Sequence, residues 1–140
     1  FVLNGALAGL VSVTAEPLTP GLGAATLIGA VGGVIVVLTV PLLDKLKIDD
    51  VVGAIPVHLF AGIWGTIAVV FTNGDASIGT QLLAILVVGV FTFVVSFLVW
   101  LVVKAVCGGL RPSEEDEVIG LDKAEVGVEA YPEFSGASVR

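Results

Sequence analysis

Long uninterrupted apolar runs dominate the chain, and the charged residues lie at their ends. Three runs reach the length of about 20 residues at which an α-helix crosses the hydrocarbon core of a bilayer, since each residue advances a helix by about 1.5 Å. These runs cover residues 21–43, 51–71 and 78–103, and a shorter one covers residues 1–15. Backbone polar groups in a bilayer must bond within their own segment, so the pattern predicts four helices despite the many Val and Ile residues.

Composition and charge divide the chain into two parts. The sequence is 56% hydrophobic with a mean hydropathy of +1.09, which is typical of a membrane protein. Residues 1–112 carry five acidic and four basic side chains, whereas residues 113–140 carry eight acidic and two basic ones. We therefore predict a transmembrane region over 1–112 and an acidic soluble tail over 113–140. The net charge is −7, and the sequence contains no basic stripe that could bind the phosphates of a nucleic acid.

Two further features limit what the chain holds. The single cysteine, Cys107, offers neither a disulfide pair nor a metal-ligand spacing, and we expect no metal and no cofactor. The chain begins at Phe1 and contains no methionine, so we expect it to be the C-terminal piece of a longer protein.

The basic residues of the loops predict an orientation. Lys45 and Lys47 lie between the second and third runs, and Lys104 and Arg111 follow the fourth, whereas residues 16–20 and 72–77 contain no Lys or Arg. Because Lys and Arg accumulate on the cytoplasmic side of a membrane, we expect both basic segments and the tail in the cytoplasm of a multi-pass protein of the cell membrane.

Small residues recur four positions apart within the apolar runs. Such spacing lets helix backbones approach closely, which is how helices associate in lipid. The pattern therefore predicts a tight bundle rather than a chemical site. The pairs are Gly5 and Gly9, Gly29 and Gly33, and Ala61 and Gly65.

The only histidine, His58, lies within the apolar stretch GAIPVHLFAGIWG of residues 53–65. It is the eighth residue of its predicted span, about 10 Å from the cytoplasmic end. On a 3.6-residue period the other residues on the face of His58 have small side chains, which leaves room for a molecule to pass. The small residues predicted to share this face, and to line a pathway there, are Ala54, Ala61, Gly62 and Gly65.

Two interpretations of His58 stay open. Pro56 has no N–H and cannot donate to the carbonyl of Val52, so we expect a local bend, and the histidine of a kinked packing helix could simply donate to a neighbouring helix. At membrane depth the functional interpretation is favoured, because ionisable groups there mark pathways. A neutral imidazole both donates and accepts a hydrogen bond, which suits a small neutral polar molecule and also suits proton relay.

Three stretches carry a family resemblance: NGALAGLVSVTA (4–15), KLKIDDVVGAIPVHLFAGIWGTIAV (45–69) and GLRPSEEDEVIGLDKAEVGVEAYPEF (109–134). They resemble the final third of an ammonium transporter of the Amt/Mep/Rh family. The resemblance implies an all-α membrane protein, in which this chain supplies the last four transmembrane helices of an eleven-helix bundle and a cytoplasmic C-terminal tail. It also implies a homotrimer with one pore in each protomer.

The resemblance assigns a role to the histidine. His58 is similar to the second of two pore histidines, past which ammonium crosses as ammonia after it loses its proton. On this view the protein is a transporter and not an enzyme. Asp49 and Asp50 match an acidic pair at the cytoplasmic start of the histidine helix, where capping is the simpler interpretation because carboxylates are favoured at a helix N-terminus.

The tail resembles the family's regulatory C-terminal region at Gly120, Leu121 and Asp122 and again at Tyr131. That region couples protomers and, in many bacteria, takes part in binding PII-type signalling proteins. Ser113 and Asp116 have the spacing of a capping box for a short helix that Gly120 would end. Composition alone favours a solvated acidic tail, but the motif match favours ordered docking.

A rival interpretation comes from another class of protein. Four membrane helices and an acidic tail also suit a small scaffold or sensor subunit whose tail recruits a cytosolic partner. Pro56 departs from the family, which more commonly has a small residue before the histidine, and this departure could alter the pore helix.

Overall fold

The computed structural model describes residues 2–18 and 20–132, which form helices and connecting turns without a strand. Phe1, Thr19 and residues 133–140, which include the start of the first predicted span and the end of the predicted tail, lie outside the described residues. The chain divides into two compact units, residues 1–91 and 92–140. The helices are α1 (Val2–Val13), α2 (Leu22–Lys45), a π-helical segment (Ile55–Phe60) that leads into α3 (Ala61–Thr72), α4 (Ile78–Cys107), α5 (Glu114–Ile119) and α6 (Leu121–Val126).

The all-helical membrane fold predicted from the sequence is confirmed at this level. Within the described residues, three helical stretches are long and apolar enough to cross a membrane, namely Leu22–Lys45, Ile55–Thr72 and Ile78–Cys107. The shorter apolar helix α1 precedes them. Two boundaries differ from the predicted runs by more than two residues: α4 continues four residues beyond Val103, and the third span begins at Ile55 instead of Val51.

A turn delays the start of the third span. Gly53 has a φ of +73°, a conformation that side chains other than glycine rarely adopt. Its N–H donates to the carbonyl of Asp50 at 3.2 Å, which closes a turn over residues 50–53. The apolar character of Val51 and Val52 therefore concealed a turn inside an otherwise continuous hydrophobic run.

In the first unit, small residues bring α1 into close contact with α2 and α3. A Cβ atom on Gly9 would lie 3.4 Å from the carbonyl oxygen of Gly29, so the two backbones are in contact. A Cβ atom on Gly65 would lie 2.5 Å from the carbonyl oxygen of Ser12. The predicted use of small residues for helix packing is confirmed at these positions.

The core of this unit is made of small and β-branched side chains. Ala8, Val36, Val57 and Ala61 form one buried cluster. The hydroxyl of Ser12 is buried beside it and donates to the carbonyl of Ala8 at 2.7 Å and to that of Ala61 at 3.4 Å. A serine that bonds across helices supplies polar attraction where lipid offers no hydrophobic driving force.

Two side-chain hydrogen bonds tie α3 to the rest of the first unit. The indole N–H of Trp64 donates to the carbonyl of Ile28 at 3.0 Å, so this residue lies in protein contact. After the end of α3, Asn73 Nδ2 donates to Glu16 Oε2 at 2.9 Å. The helix carrying His58 is therefore anchored to α2 and to the segment that follows α1.

The long helix α4 has a different character. None of its residues is buried within the described part of the chain, and its large apolar side chains are exposed along its whole length, with Trp100 at 58%. Such a surface is typical of a helix that contacts lipid or further membrane helices.

Gly65 offers a test of the close packing. Gly65→Ala should lower stability by about 1–3 kcal/mol, because its Cβ would be forced against the backbone of α1. Gly89→Ala, in α4, is the matched control, since open space surrounds Gly89 and alanine is the better helix former. Thermal unfolding of the complete protein in detergent measures both, and equal midpoints for the two variants would contradict the packing described above.

Candidate functional site

His58 lies in the π-helical segment, on an exposed surface of the first unit. Its ring makes no hydrogen bond or ion pair with any residue that the structure describes. Both ring nitrogens are therefore available to a molecule or side chain outside the described residues. The third span begins at Ile55, so His58 is only three residues, about 5 Å, past its start and not the predicted 10 Å.

The π-helical segment is built around Pro56. The N–H of Ala61 donates to the carbonyl of Pro56, five residues earlier, and this spacing defines a wider turn than that of an α-helix. Pro56 itself contributes no N–H. The N–H of the next residue, Val57, donates to the carbonyl of Gly53 at 3.2 Å. The bend expected at Pro56 thus takes the form of a widened turn that contains the histidine.

Asp50 satisfies the start of this helix. Its Oδ1 accepts from the N–H of Ala54 and its Oδ2 from that of Ile55, each at 2.8 Å. These amides have no partner within the helix, because the first N–H groups of a helix never do. Asp49 is exposed and forms no hydrogen bond or ion pair within residues 2–18 and 20–132. The two carboxylates of the pair therefore have different surroundings.

The structure separates the small residues that were expected to share the surface of His58. Ala54 is exposed and Gly62 is half-buried, but Ala61 and Gly65 are buried. The carbonyl of Ala61 faces Ser12, and Gly65 packs on the backbone of α1. The prediction that Ala61 and Gly65 line the same open face as His58 is therefore wrong.

The reason for this error lies in the helical period. The prediction assumed 3.6 residues per turn throughout, and on that period residues three apart are neighbours. The π-helical turn rotates less per residue, so His58 lies farther around the helix from Ala61 than the assumed period places it. A pathway role for Ala54 and Gly62 stays a prediction.

A cavity of about 440 Å³ lies beside the start of the histidine helix. Asp44 and Asp50 line it, together with Asn4, which the sequence analysis did not single out. His58 is not among its lining residues. Within residues 2–18 and 20–132, no three metal-ligating side chains come together to hold an ion.

The tail, in the second unit, is organised around Asp122. Helix α5 begins after Ser113, whose hydroxyl accepts from the N–H of Asp116 at 3.1 Å, and it ends at Gly120, so the predicted cap and end are confirmed. The carboxylate of Asp122 accepts from the N–H of Ala130 at 2.7 Å. The backbone carbonyl of Asp122 accepts from the N–H of Val128 at 3.2 Å. Residues 127–130 are thereby folded back onto the first turn of α6.

This arrangement affects the acidity of Asp122 and the exposure of its neighbours. The hydrogen bond from Ala130, with a smaller contribution from the backbone of Lys123, holds the pKa of Asp122 below its ordinary value of 3.8. Leu121 and Tyr131 remain exposed, at 41% and 67%. Gly120 has a φ of +96°, so the junction between α5 and α6 requires a residue free to adopt that conformation.

Comparison with known proteins decides the family. The model of the Ammonium Transporter Family matches residues 1–131. The chain belongs to the ammonium transporter family. The match includes the histidine helix and the tail as far as Tyr131, so the resemblance noted in the sequence is confirmed.

Individual relatives agree with this family. The ammonium transporter Amt1 of Haloferax mediterranei is 44% identical over 99% of this chain and 28% of its own length. Amt2 of Archaeoglobus fulgidus is 37% identical over 94% of this chain and 32% of its own length. A candidate ammonium transporter of Synechocystis sp. is 43% identical over 89% of this chain and 28% of its own length. The chain therefore spans about a third of the length of these curated relatives.

Asp50 and Asp49 form a natural pair for testing the cap. Asp50→Ala should destabilise the complete protein by about 0.5–2 kcal/mol, because two helix-starting amides lose their acceptor. Asp49→Ala should change stability by less than about 0.5 kcal/mol. Thermal unfolding in detergent compares the two variants, and a larger loss for Asp49→Ala than for Asp50→Ala would refute the capping role.

Acid should release the turn that Asp122 holds. Because the pKa of this carboxyl is lower in the folded tail than in an unfolded one, its stabilisation is complete above about pH 3.8 and is lost as the pH falls through the lowered value. The chemical shift of the Ala130 amide proton should follow this titration in the complete protein. Asp122→Ala should abolish the titration and Glu125→Gln should preserve it; persistence of the titration in Asp122→Ala would assign it to another group.

Proposed function

We propose that this chain is the part of an ammonium transporter that carries one pore histidine, His58, on the route of the substrate. Membership of the ammonium transporter family supports the substrate. The single observation that carries the role of His58 is that an imidazole within a membrane-spanning helix is exposed and has both ring nitrogens unused by the described residues. Its helix is closely packed elsewhere, so this exposed face is the one on which a passing molecule can meet it.

The physical argument rests on the cost of an unused polar group in a membrane. Lipid offers no hydrogen bonds, so an imidazole that faced acyl chains would remain unsatisfied. An ammonia molecule has three N–H groups and one lone pair, and a neutral imidazole offers one acceptor and one donor. The ring thus replaces part of the hydration shell that the molecule loses on leaving water.

The surroundings of His58 also support passage rather than tight binding. Ala54, one turn earlier, is exposed and small, whereas Pro56 and Val57 are buried and hold the backbone in place. A rigid backbone with little bulk beside the ring can make hydrogen bonds to a small molecule and release it again. Fast release is what a transport pathway requires, since tight binding would stop the flow.

We also propose the assembly and orientation that the family resemblance implies. The complete protein would be a homotrimer of eleven-helix protomers in the cell membrane, surrounded by lipid, with residues 113–140 in the cytoplasm. The loop charges support the orientation, because the basic residues lie on the side of the tail. The Asp122-centred fold of the tail supports a docking surface for a PII-type signalling protein, with Tyr131 exposed beside it.

A second candidate function is a membrane scaffold or sensor subunit that recruits a cytosolic partner. The specific observation in its favour is the same organised acidic tail, which does not depend on transport. The two functions differ in what they require of His58, because a scaffold has no use for a free imidazole at membrane depth.

Substitution of the histidine tests the proposal. His58→Ala in the complete protein should lower the initial rate of ammonium or methylammonium uptake, or change the selectivity between ammonium and other cations, by about tenfold or more, because the ring's hydrogen bonds are lost. Leu59→Ala is the matched control: this adjacent side chain is also exposed, but it offers no hydrogen bond. Uptake of labelled methylammonium, normalised to protein in the membrane, measures both variants.

The same experiment separates the two candidate functions. Unchanged uptake and selectivity in His58→Ala, with partner binding abolished by deletion of residues 113–140, would favour the scaffold over the transporter. A change in uptake specific to His58→Ala would exclude a purely structural role for the ring, provided that Leu59→Ala transports normally.

A further inference from the structure

A side chain of α1 holds the turn that precedes the histidine helix. Val52 lies in this turn, before Gly53 and outside the helix, so its carbonyl is not part of the helical hydrogen bonds. A carbonyl without a donor near the membrane costs free energy unless another group supplies one. The carbonyl of Val52 accepts from Asn4 Nδ2, a side chain of α1, at 2.9 Å.

Gly53 makes this hydrogen bond sterically feasible. Gly53 is buried, and a Cβ atom built on it would collide with the amide nitrogen of Asn4. Its positive φ of +73° also turns the chain so that Asp50 reaches the amides of Ala54 and Ile55. The absence of a side chain at residue 53 therefore serves the approach of Asn4 as well as the turn.

These bonds give the backbone polar groups at the start of the histidine helix their hydrogen-bond partners. The amides of Ala54 and Ile55 use Asp50, the amide of Val57 uses Gly53, and the carbonyl of Val52 uses Asn4. Pro56 is fully buried, and its carbonyl accepts the bond that defines the wide turn. Asn4 thus holds the residues before the proline, Ala61 holds the proline from the other side, and His58 projects from between these two attachments.

From this geometry we propose that Asn4 is a positioning residue for His58. Its side-chain amide ties the turn before the histidine helix to α1, and so fixes the direction in which the imidazole projects. The proposal rests on the proposed function of His58 and adds to it a residue of another helix, 54 positions away in the sequence. Asn4 acts through the backbone and does not itself contact the substrate.

Loss of this hydrogen bond should change transport. Asn4→Ala should reduce uptake, or shift the ratio of ammonium to methylammonium uptake, by about threefold to tenfold, the size of effect that one lost hydrogen bond produces.

The experiment compares Asn4→Ala with the unsubstituted complete protein, with initial uptake rates, KM and the selectivity ratio as readouts. Asn73→Ala is the matched control, because it also removes a side-chain amide that donates a hydrogen bond. Asn73 lies after the end of α3, and its acceptor is Glu16, in the segment that follows α1. We expect it to lower the thermal midpoint without changing the selectivity ratio. A selectivity shift in Asn4→Ala alone would separate positioning from general loss of stability.

Asn4→Asp keeps the experiment decisive if Asn4→Ala assembles poorly. An ionised carboxylate has the same shape but no N–H, so it should reproduce the loss of uptake. An unchanged uptake rate and selectivity ratio in Asn4→Ala, or equal shifts in Asn4→Ala and Asn73→Ala, would overturn the positioning role while leaving the role of His58 intact. Normal transport by His58→Ala would overturn both, so the two failures are distinguishable.

Discussion

The structure depends on one constraint: a backbone polar group at membrane depth must find its partner within the protein, because lipid provides none. Most of the chain meets this constraint through helical hydrogen bonds. The start of the helix that carries the only histidine cannot, because the first amides of a helix and the turn before it have no helical partners. Neighbouring groups repair this deficit: the carboxylate of Asp50 accepts from the first amides, and the amide of Asn4 donates to the carbonyl of Val52. The local geometry around His58 follows from this repair.

Close packing supplies the rigid frame in which such a repair is stable. Gly9 and Gly29 bring α1 and α2 into backbone contact, and Gly65 does the same for α1 and α3. Ser12, buried at the crossing, bonds to carbonyls of its own helix and of the histidine helix. Because α1 carries both Asn4 and Ser12, a shift of this one helix would disturb the start of the histidine helix and its middle together. The small residues therefore do more than permit association; they hold α1 where its polar side chains are needed.

The sequence predicted the features that depend on local chemistry. Apolar run length predicted the helices, small-residue spacing predicted their contacts, and the Ser113 cap and the Gly120 end follow from residue type. Two features depend on something that no local pattern reports. The π-helical turn changes the angular period, so Ala61 and Gly65 moved from the expected open face to the buried one. The contact of Asn4 with Val52 joins residues 48 positions apart, and no spacing within either segment indicates it.

The wide turn has a direct effect on what His58 can do. In a continuous α-helix, His58 would lie one turn before Ala61 and close to the face that packs against α1, because residues three apart are neighbours on a helix surface. Val57, four residues before Ala61, is indeed buried at 2% exposure. A turn closed by a bond five residues long moves His58 away from that packed face and leaves the ring exposed. The wide turn, closed by the bond from Ala61 to the carbonyl of Pro56, is thus the reason that the imidazole is exposed.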